Sequence, residues 1–268
     1  MNRIGKKLQA LKDDGRKALV TYIVAGDPTP ETTVPAMHAL VAAGADILEI
    51  GVPFSDPMAE GPVIQLAHER ALKHGTSLRD TLNMVAEFRQ QDADTPVILM
   101  GYANPIEKMG YDGFATAAKS AGVDGVLTVD LPPEEASEFT DVLRAQQLEN
   151  IFLIAPTTTI ERQRAIASQA GGFIYYVSLK GVTGAGHLDI ASVEQKLTEI
   201  RSLTELPICV GFGIKDGATA KAASAPASGA VVGSAIVSAM ANAEDGKYDS
   251  IPTIISDIVS EIRASLDS

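Results

Sequence analysis

Eight short apolar runs recur along the chain: ALVTYIVAG, ADILEIGVP, PVILMGYAN, GVLTVDLP, IFLIAP, FIYYVS, PICVGFG and GAVVGSAIV. Most are nearly continuous in Val, Ile and Leu, the pattern of strands covered on both faces in a parallel sheet. Between them lie stretches such as PETTVPAMHALVAAGA and GFATAAKSAGV. Their apolar residues repeat at three and four positions, and Gly44 and Gly122 stand where a helix would end. A strand–helix unit repeated eight times is the signature of a closed (β/α)8 barrel of the TIM type. The open alternative, a doubly wound sheet, is disfavoured because no linker or composition break interrupts the series. No GxGxxG follows the first run either. The 268 residues suit one such barrel, spanning 1–268. An amphipathic N-terminal helix precedes it, with Ile4, Leu8 and Leu11 on one face.

Composition narrows the functions. The formal charge is -12, which repels polyphosphate backbones and argues against nucleic acid as a partner. A small phosphate ester remains open, because backbone amides can bind one without any cation. Cys209 is the only cysteine, so no disulfide forms within the chain and no Cys-based metal site is expected. The four histidines, His38, His68, His74 and His187, show no ligand spacing. The start has no signal-peptide core. The most apolar late segment, GAVVGSAIVSAMANA, falls short of the roughly 20 residues that cross a bilayer. A cytoplasmic protein with no membrane, metal or cofactor requirement is the expectation.

The longest interval between runs follows the second and begins LEIGVPFSDPMAEGP, residues 48–62. In a barrel, length added after a strand lies on the C-terminal face, where catalysis occurs. Three acids fall in this stretch. Glu49 lies within the strand, on the face it shares with Ile47 and Gly51. That face points into the barrel, whereas Leu48, Ile50 and Val52 face the helices. A buried lone carboxylate costs several kcal/mol or takes up a proton. Glu49 is therefore either a structural acid with a partner or an acid/base catalyst at the barrel mouth. Asp56 and Glu60 follow on the loop; Asp56 is held extended by Pro57, and Glu60 is flanked by Ala59 and Gly61, which leave room for a ligand. Two acids around one substrate can divide donor and acceptor roles between them.

A second signal is independent of the acids. KGVTGAGH (180–187) follows the sixth run, GFGI (211–214) ends the seventh, and VGSAIV (232–237) ends the eighth and opens a short apolar helix at Gly233 and Ser234. Glycine turns and a helix N-terminus at neighbouring strand ends form the phosphate cradle common in such barrels. Tyr22, Tyr102, Tyr175 and Phe212 fall near strand ends at the same rim. They suit a flat apolar ligand or simply fill the core.

Together these residues resemble the tryptophan synthase α-chain family. LEIGVPFSDPMAEGP is similar to its signature, and the likeness continues through TYIVAGDP, MGYANP, TVDLPPEE, YYVSLKGVTGA, GFGI and VGSAIV. The resemblance implies a (β/α)8 lyase that cleaves indole-3-glycerol phosphate to indole and glyceraldehyde 3-phosphate without a cofactor. It implies Glu49 as the principal acid/base and Glu60 as the second catalytic carboxylate, where Asp is the commoner residue. It places Gly184, Gly213, Gly233 and Ser234 at the phosphate. It places Tyr22 (where Phe is frequent), Met100, Tyr102, Leu127, Tyr175 and Phe212 around the indole. Thr183 would lie on a lid loop that closes toward an Asp after the second strand; Lys180 in that loop carries no assigned role. The family works with a pyridoxal-phosphate-dependent β chain in an α2β2 complex. Pro53, Asp56, Asn104 and Pro132 match positions of that contact. Two rivals stand beside this reading: a lyase acting without a β chain, and a barrel that binds the ligand only to activate a partner.

Overall fold

The computed structural model describes residues 2–177, 190–211, 213–243 and 247–268. Eight parallel strands close into a barrel in chain order, β1 (Ala18–Val24), β2 (Ile47–Gly51), β3 (Val97–Gly101), β4 (Gly125–Thr128), β5 (Glu149–Ile154), β6 (Ile174–Val177), β7 (Ile208–Gly211) and β8 (Gly229–Val232), with β8 pairing back onto β1. Every neighbouring pair is parallel, so each connection must cross over through a helix. The first four helices are α1 (Arg3–Asp13), α2 (Pro30–Ala42), α3 (Pro62–Lys73) and α4 (Leu78–Phe88). Then come α5 (Ala103–Met109), α6 (Tyr111–Ala121), α7 (Ser137–Ala145) and α8 (Ile160–Gln169). The last four are α9 (Ile190–Arg201), α10 (Gly217–Ser224), α11 (Ser234–Ala241) and α12 (Ile251–Leu266). All eight apolar runs form strands, so the barrel rather than the open sheet is the architecture.

The ladder strands are shorter than the runs that foretell them. GVLTVDLP stops pairing at Thr128 and PVILMGYAN at Gly101. Beyond the last rung each chain must leave the sheet to reach the outer layer, so its remaining apolar residues line the rim. The helix ends anticipated at Gly44 and Gly122 have left-handed glycines, with φ of 107° and 88°. The long interval after β2 holds a loop (52–61) and two helices, α3 and α4, instead of one.

Side-chain alternation separates two cores. Leu48, Ile50 and Val52 join the layer between sheet and helices, with Leu19, Ile23, Leu99 and Val126. Ile47, Val20, Ile98, Leu127, Ile151, Phe173 and Cys209 point inward and fill the barrel axis. The N-terminal helix α1 seals this inner core from below by burying Ile4, Leu8 and Leu11 against it. Its start is capped by Asn2, whose side chain accepts from the Gly5 N–H at 3.1 Å. Two acids at the lower strand ends are paired with arginines. Asp46, just before β2, accepts from the Leu19 N–H and from Arg263, at 2.9 and 3.0 Å. Asp124, just before β4, binds Arg3 and Arg89, each at 2.9 Å. Among the described residues no helix is long and apolar enough to cross a membrane.

Candidate active site

Glu49 is the middle residue of β2, opposite Tyr22 of β1 and Ile98 of β3 in the ladder register. It is 1% exposed, and neither carboxylate oxygen has a hydrogen-bond partner. This separates it from Asp46 and Asp124, which are equally buried but matched by arginines. The structural alternative for Glu49 required such a partner, and the described residues supply none. Burial first, and the nearby charge of Glu60 second, push the Glu49 carboxyl up to about 8. It therefore holds a proton at neutral pH, as a group poised to donate one must.

Glu60 reaches the same space from the loop after β2. Burial raises it to about 7, while a hydrogen bond from the Tyr102 hydroxyl to Oε2, at 2.7 Å, opposes that rise. The Ala59 N–H donates to the same phenol oxygen at 3.1 Å, and the Tyr102 ring stacks on Phe54 at 4.8 Å between centroids. Tyr102 thus clamps both ends of the acid-bearing loop. The Phe54 N–H in turn donates to Nδ1 of His68 on α3 at 3.0 Å, and Nε2 of His68 lies 3.4 Å from the Tyr22 hydroxyl.

Both acids open onto a cavity of about 460 Å³ at the C-terminal mouth. Tyr22, Met100, Val129, Leu153 and Tyr175 form an apolar wall. Two glycines create room for the tyrosines. A Cβ at Gly51 would fall 2.3 Å from the Tyr22 hydroxyl oxygen, and one at Gly211 would fall 2.5 Å from that of Tyr175. Gly213, Gly233 and Ser234 also line the cavity. Gly233 immediately precedes α11, whose first amides have no partner within the helix and point toward anionic ligands. Gly213 has a φ of 71° and open space where a side chain would be.

Of the residues singled out in the sequence, Glu49, Glu60, Tyr22, Met100, Tyr175, Gly213, Gly233 and Ser234 all line this cavity. Tyr102 stands behind Glu60, outside the cavity lining, and Leu127 lies in the axial core below it. Val129, two residues on, lines the wall in its place. Thr183, Gly184 and Phe212 lie outside the described residues, as does Lys180. Asp56 and Asn104 are exposed at the rim, Pro132 is half-buried, and Pro53 is buried beneath the loop. Leu153 and Val129 were not singled out, although inward alternation on β5 and beyond β4 points to them. His68 carried no signal beyond being a histidine on the helix after the acidic loop.

A closed barrel with two buried carboxylates raised into the neutral range, lining one cavity with an anion-receptive helix start, defines a (β/α)8 enzyme of the acid–base type. Comparison with known proteins specifies which. Residues 8–262 match the family described as "Tryptophan synthase alpha chain", and the chain belongs to that family. It is 56% identical to the tryptophan synthase alpha chain of Marinobacter nauticus over 268 residues, covering 100% of this chain and 99% of that one. The relative from Thioalkalivibrio sulfidiphilus is 55% identical, with 100% of each covered. Tryptophan synthase subunit alpha from Legionella pneumophila superposes with a TM-score of 0.93 at 47% identity, covering 100% of this chain and 99% of the other. A chain of tryptophan synthase from M. tuberculosis in its aminoacrylate-bound form superposes at 0.87 with 32% identity, covering 99% and 100%.

Proposed function

We propose that this chain cleaves indole-3-glycerol phosphate to indole and glyceraldehyde 3-phosphate, as the α subunit of a tryptophan synthase. The observation that carries the reading is Glu49, a buried carboxyl with no hydrogen-bond partner among the described residues, lining an apolar cavity that also opens onto the start of α11. Family membership supports the same substrate.

The reaction needs a proton delivered to indole C3 and a proton removed from the hydroxyl on the adjacent chain carbon. Glu49 gives its proton to C3, which turns the ring into an electron-poor indolenine. The resulting carboxylate takes the hydroxyl proton. The carbonyl forms, the bond from C3 to the chain breaks, and its electron pair restores the aromatic ring. Protons balance, and Glu49 ends as it began. Ionised Glu60, oriented by Tyr102, accepts the ring N–H and stabilises the positive charge that develops there. Gly213, Gly233, Ser234 and the first turn of α11 hold the phosphate. Tyr22, Met100 and Tyr175 flank the ring.

The partner in this reading is a pyridoxal-phosphate β chain in an α2β2 complex, docked at the rim beside Asp56, Asn104 and Pro132. Met58 is 79% exposed within the same loop, an apolar side chain suited to a covered surface. The test is indole release by the purified chain, alone and with a β chain. Glu49→Gln is expected to lower turnover by about 10²–10⁴-fold, the usual worth of a positioned acid/base. Near-normal turnover in that variant refutes the assignment. Indole release that a β chain leaves unchanged refutes the partnership.

A further inference from the structure

His68 is 1% exposed, and its ring is held at both nitrogens. Nδ1 accepts the Phe54 N–H, and a backbone amide can only donate, so Nδ1 carries a lone pair. In the neutral ring the proton is then on Nε2. Burial pushes His68 down to about 4, so the ring is neutral at the pH where the enzyme works. Nε2–H must therefore be the donor toward the Tyr22 oxygen, 3.4 Å away. The Tyr22 hydroxyl is used as an acceptor on that side, which turns its own proton elsewhere.

The surroundings restrict where that proton can go. Tyr22 shares a rung with Glu49, and its oxygen occupies the place of the missing side chain at Gly51. At its other end, a Cβ on Gly233 would touch the Tyr22 Cβ at 3.3 Å. Tyr22 therefore stretches from the helix start proposed for the phosphate to Gly51, the next inward position above the catalytic acid on β2. A substrate joining those two points passes its linking chain along this side chain. We infer that His68 positions Tyr22 so that its hydroxyl proton is donated to a hydroxyl oxygen of the three-carbon chain between ring and phosphate. Tyr22 is then a specificity residue for a hydroxylated linker, and His68 is its positioning residue.

The inference rests on the proposed substrate. Its test compares indole-3-glycerol phosphate with an analogue carrying a plain propyl chain between ring and phosphate, used as a competitive inhibitor. Tyr22→Phe keeps the ring and removes only the donor. It is expected to lower kcat/KM for the glycerol substrate about 3–10-fold, the worth of one neutral hydrogen bond, and to leave the analogue's inhibition constant within twofold. His68→Leu is expected to reproduce part of that loss, and the double variant to be no worse than Tyr22→Phe, because the two residues act through one hydroxyl. Equal losses for both ligands, or no loss for either, overturn the inference while the lyase reading stands. Additive losses in the double variant overturn the positioning role of His68. Should His68→Leu fail to fold, the two-ligand comparison with Tyr22→Phe decides by itself. Absence of indole release by the unmodified chain overturns the lyase reading and this inference with it.

Discussion

Replacing Glu49 with Gln should make the fold less sensitive to pH, because the wild-type chain carries a carboxyl that strongly prefers its proton. The carboxyl rises from an ordinary 4.5 to about 8 on folding. A group whose folded value is raised contributes stability that is fully present below pH 4.5 and is lost as the pH climbs through about 8. Each tenfold difference in proton affinity is worth about 1.4 kcal/mol, so the full loss at alkaline pH has a ceiling of about 5 kcal/mol. Between pH 5 and pH 8 the expected change is about 3.5 kcal/mol, and relaxation of the loop after β2 or water reaching the carboxylate reduces it. Gln is nearly isosteric and cannot ionise. It adds a buried amide whose own cost does not depend on pH, so the informative quantity is the slope, not the offset. Urea unfolding of both proteins at unit steps from pH 5 to pH 9 measures it. The stability of Glu49→Gln relative to wild type should climb from pH 5 to about pH 8 and level off above it. A difference that stays flat within about 0.5 kcal/mol would show that Glu49 ionises freely, and the acid–base reasoning would fail with it.

Tyr102→Phe removes the hydrogen bond that favours ionised Glu60. The limb of the kcat/KM profile governed by Glu60 should therefore move to higher pH, by about 0.5–1; a limb that stays in place separates Tyr102 from Glu60's function. Ser234→Asp sets a carboxylate at the start of α11, where it competes with a phosphate for the same amides. KM should rise at least about tenfold with kcat changed by less than about threefold; an unchanged KM would place the phosphate elsewhere.

The barrel was legible because its period is written in apolar residues. Runs such as ADILEIGV and PVILMG cannot be solvated on either face, and Ile4, Leu8 and Leu11 mark one side of a helix. Glu49 was legible for a related reason: a charge inside such a run violates the pattern around it. What alternation does not give is height. It assigns Leu127 and Val129 to the same inward face, but only the ladder register puts Leu127 in the axial core and Val129 at the cavity wall. Tyr102 was equally ambiguous. It begins just past the end of β3, where the backbone turns outward, and its ring packs on Phe54 behind Glu60. His68 depends on how α3 settles across the top of the barrel against Tyr22 and α11. That is a tertiary fact with no local imprint. Pro53 shows the same limit, since a proline in a loop reads as surface until the loop folds back over it.

The stopper formed by α1 has a consequence for traffic. Ile4, Leu8 and Leu11 close the lower end of the tube, and Ile98, Leu127, Ile151 and Phe173 plug its middle. A molecule made beside Glu49 has no drain through the base. Its way out is upward, through the mouth of the barrel, so whatever covers that mouth meets the product first.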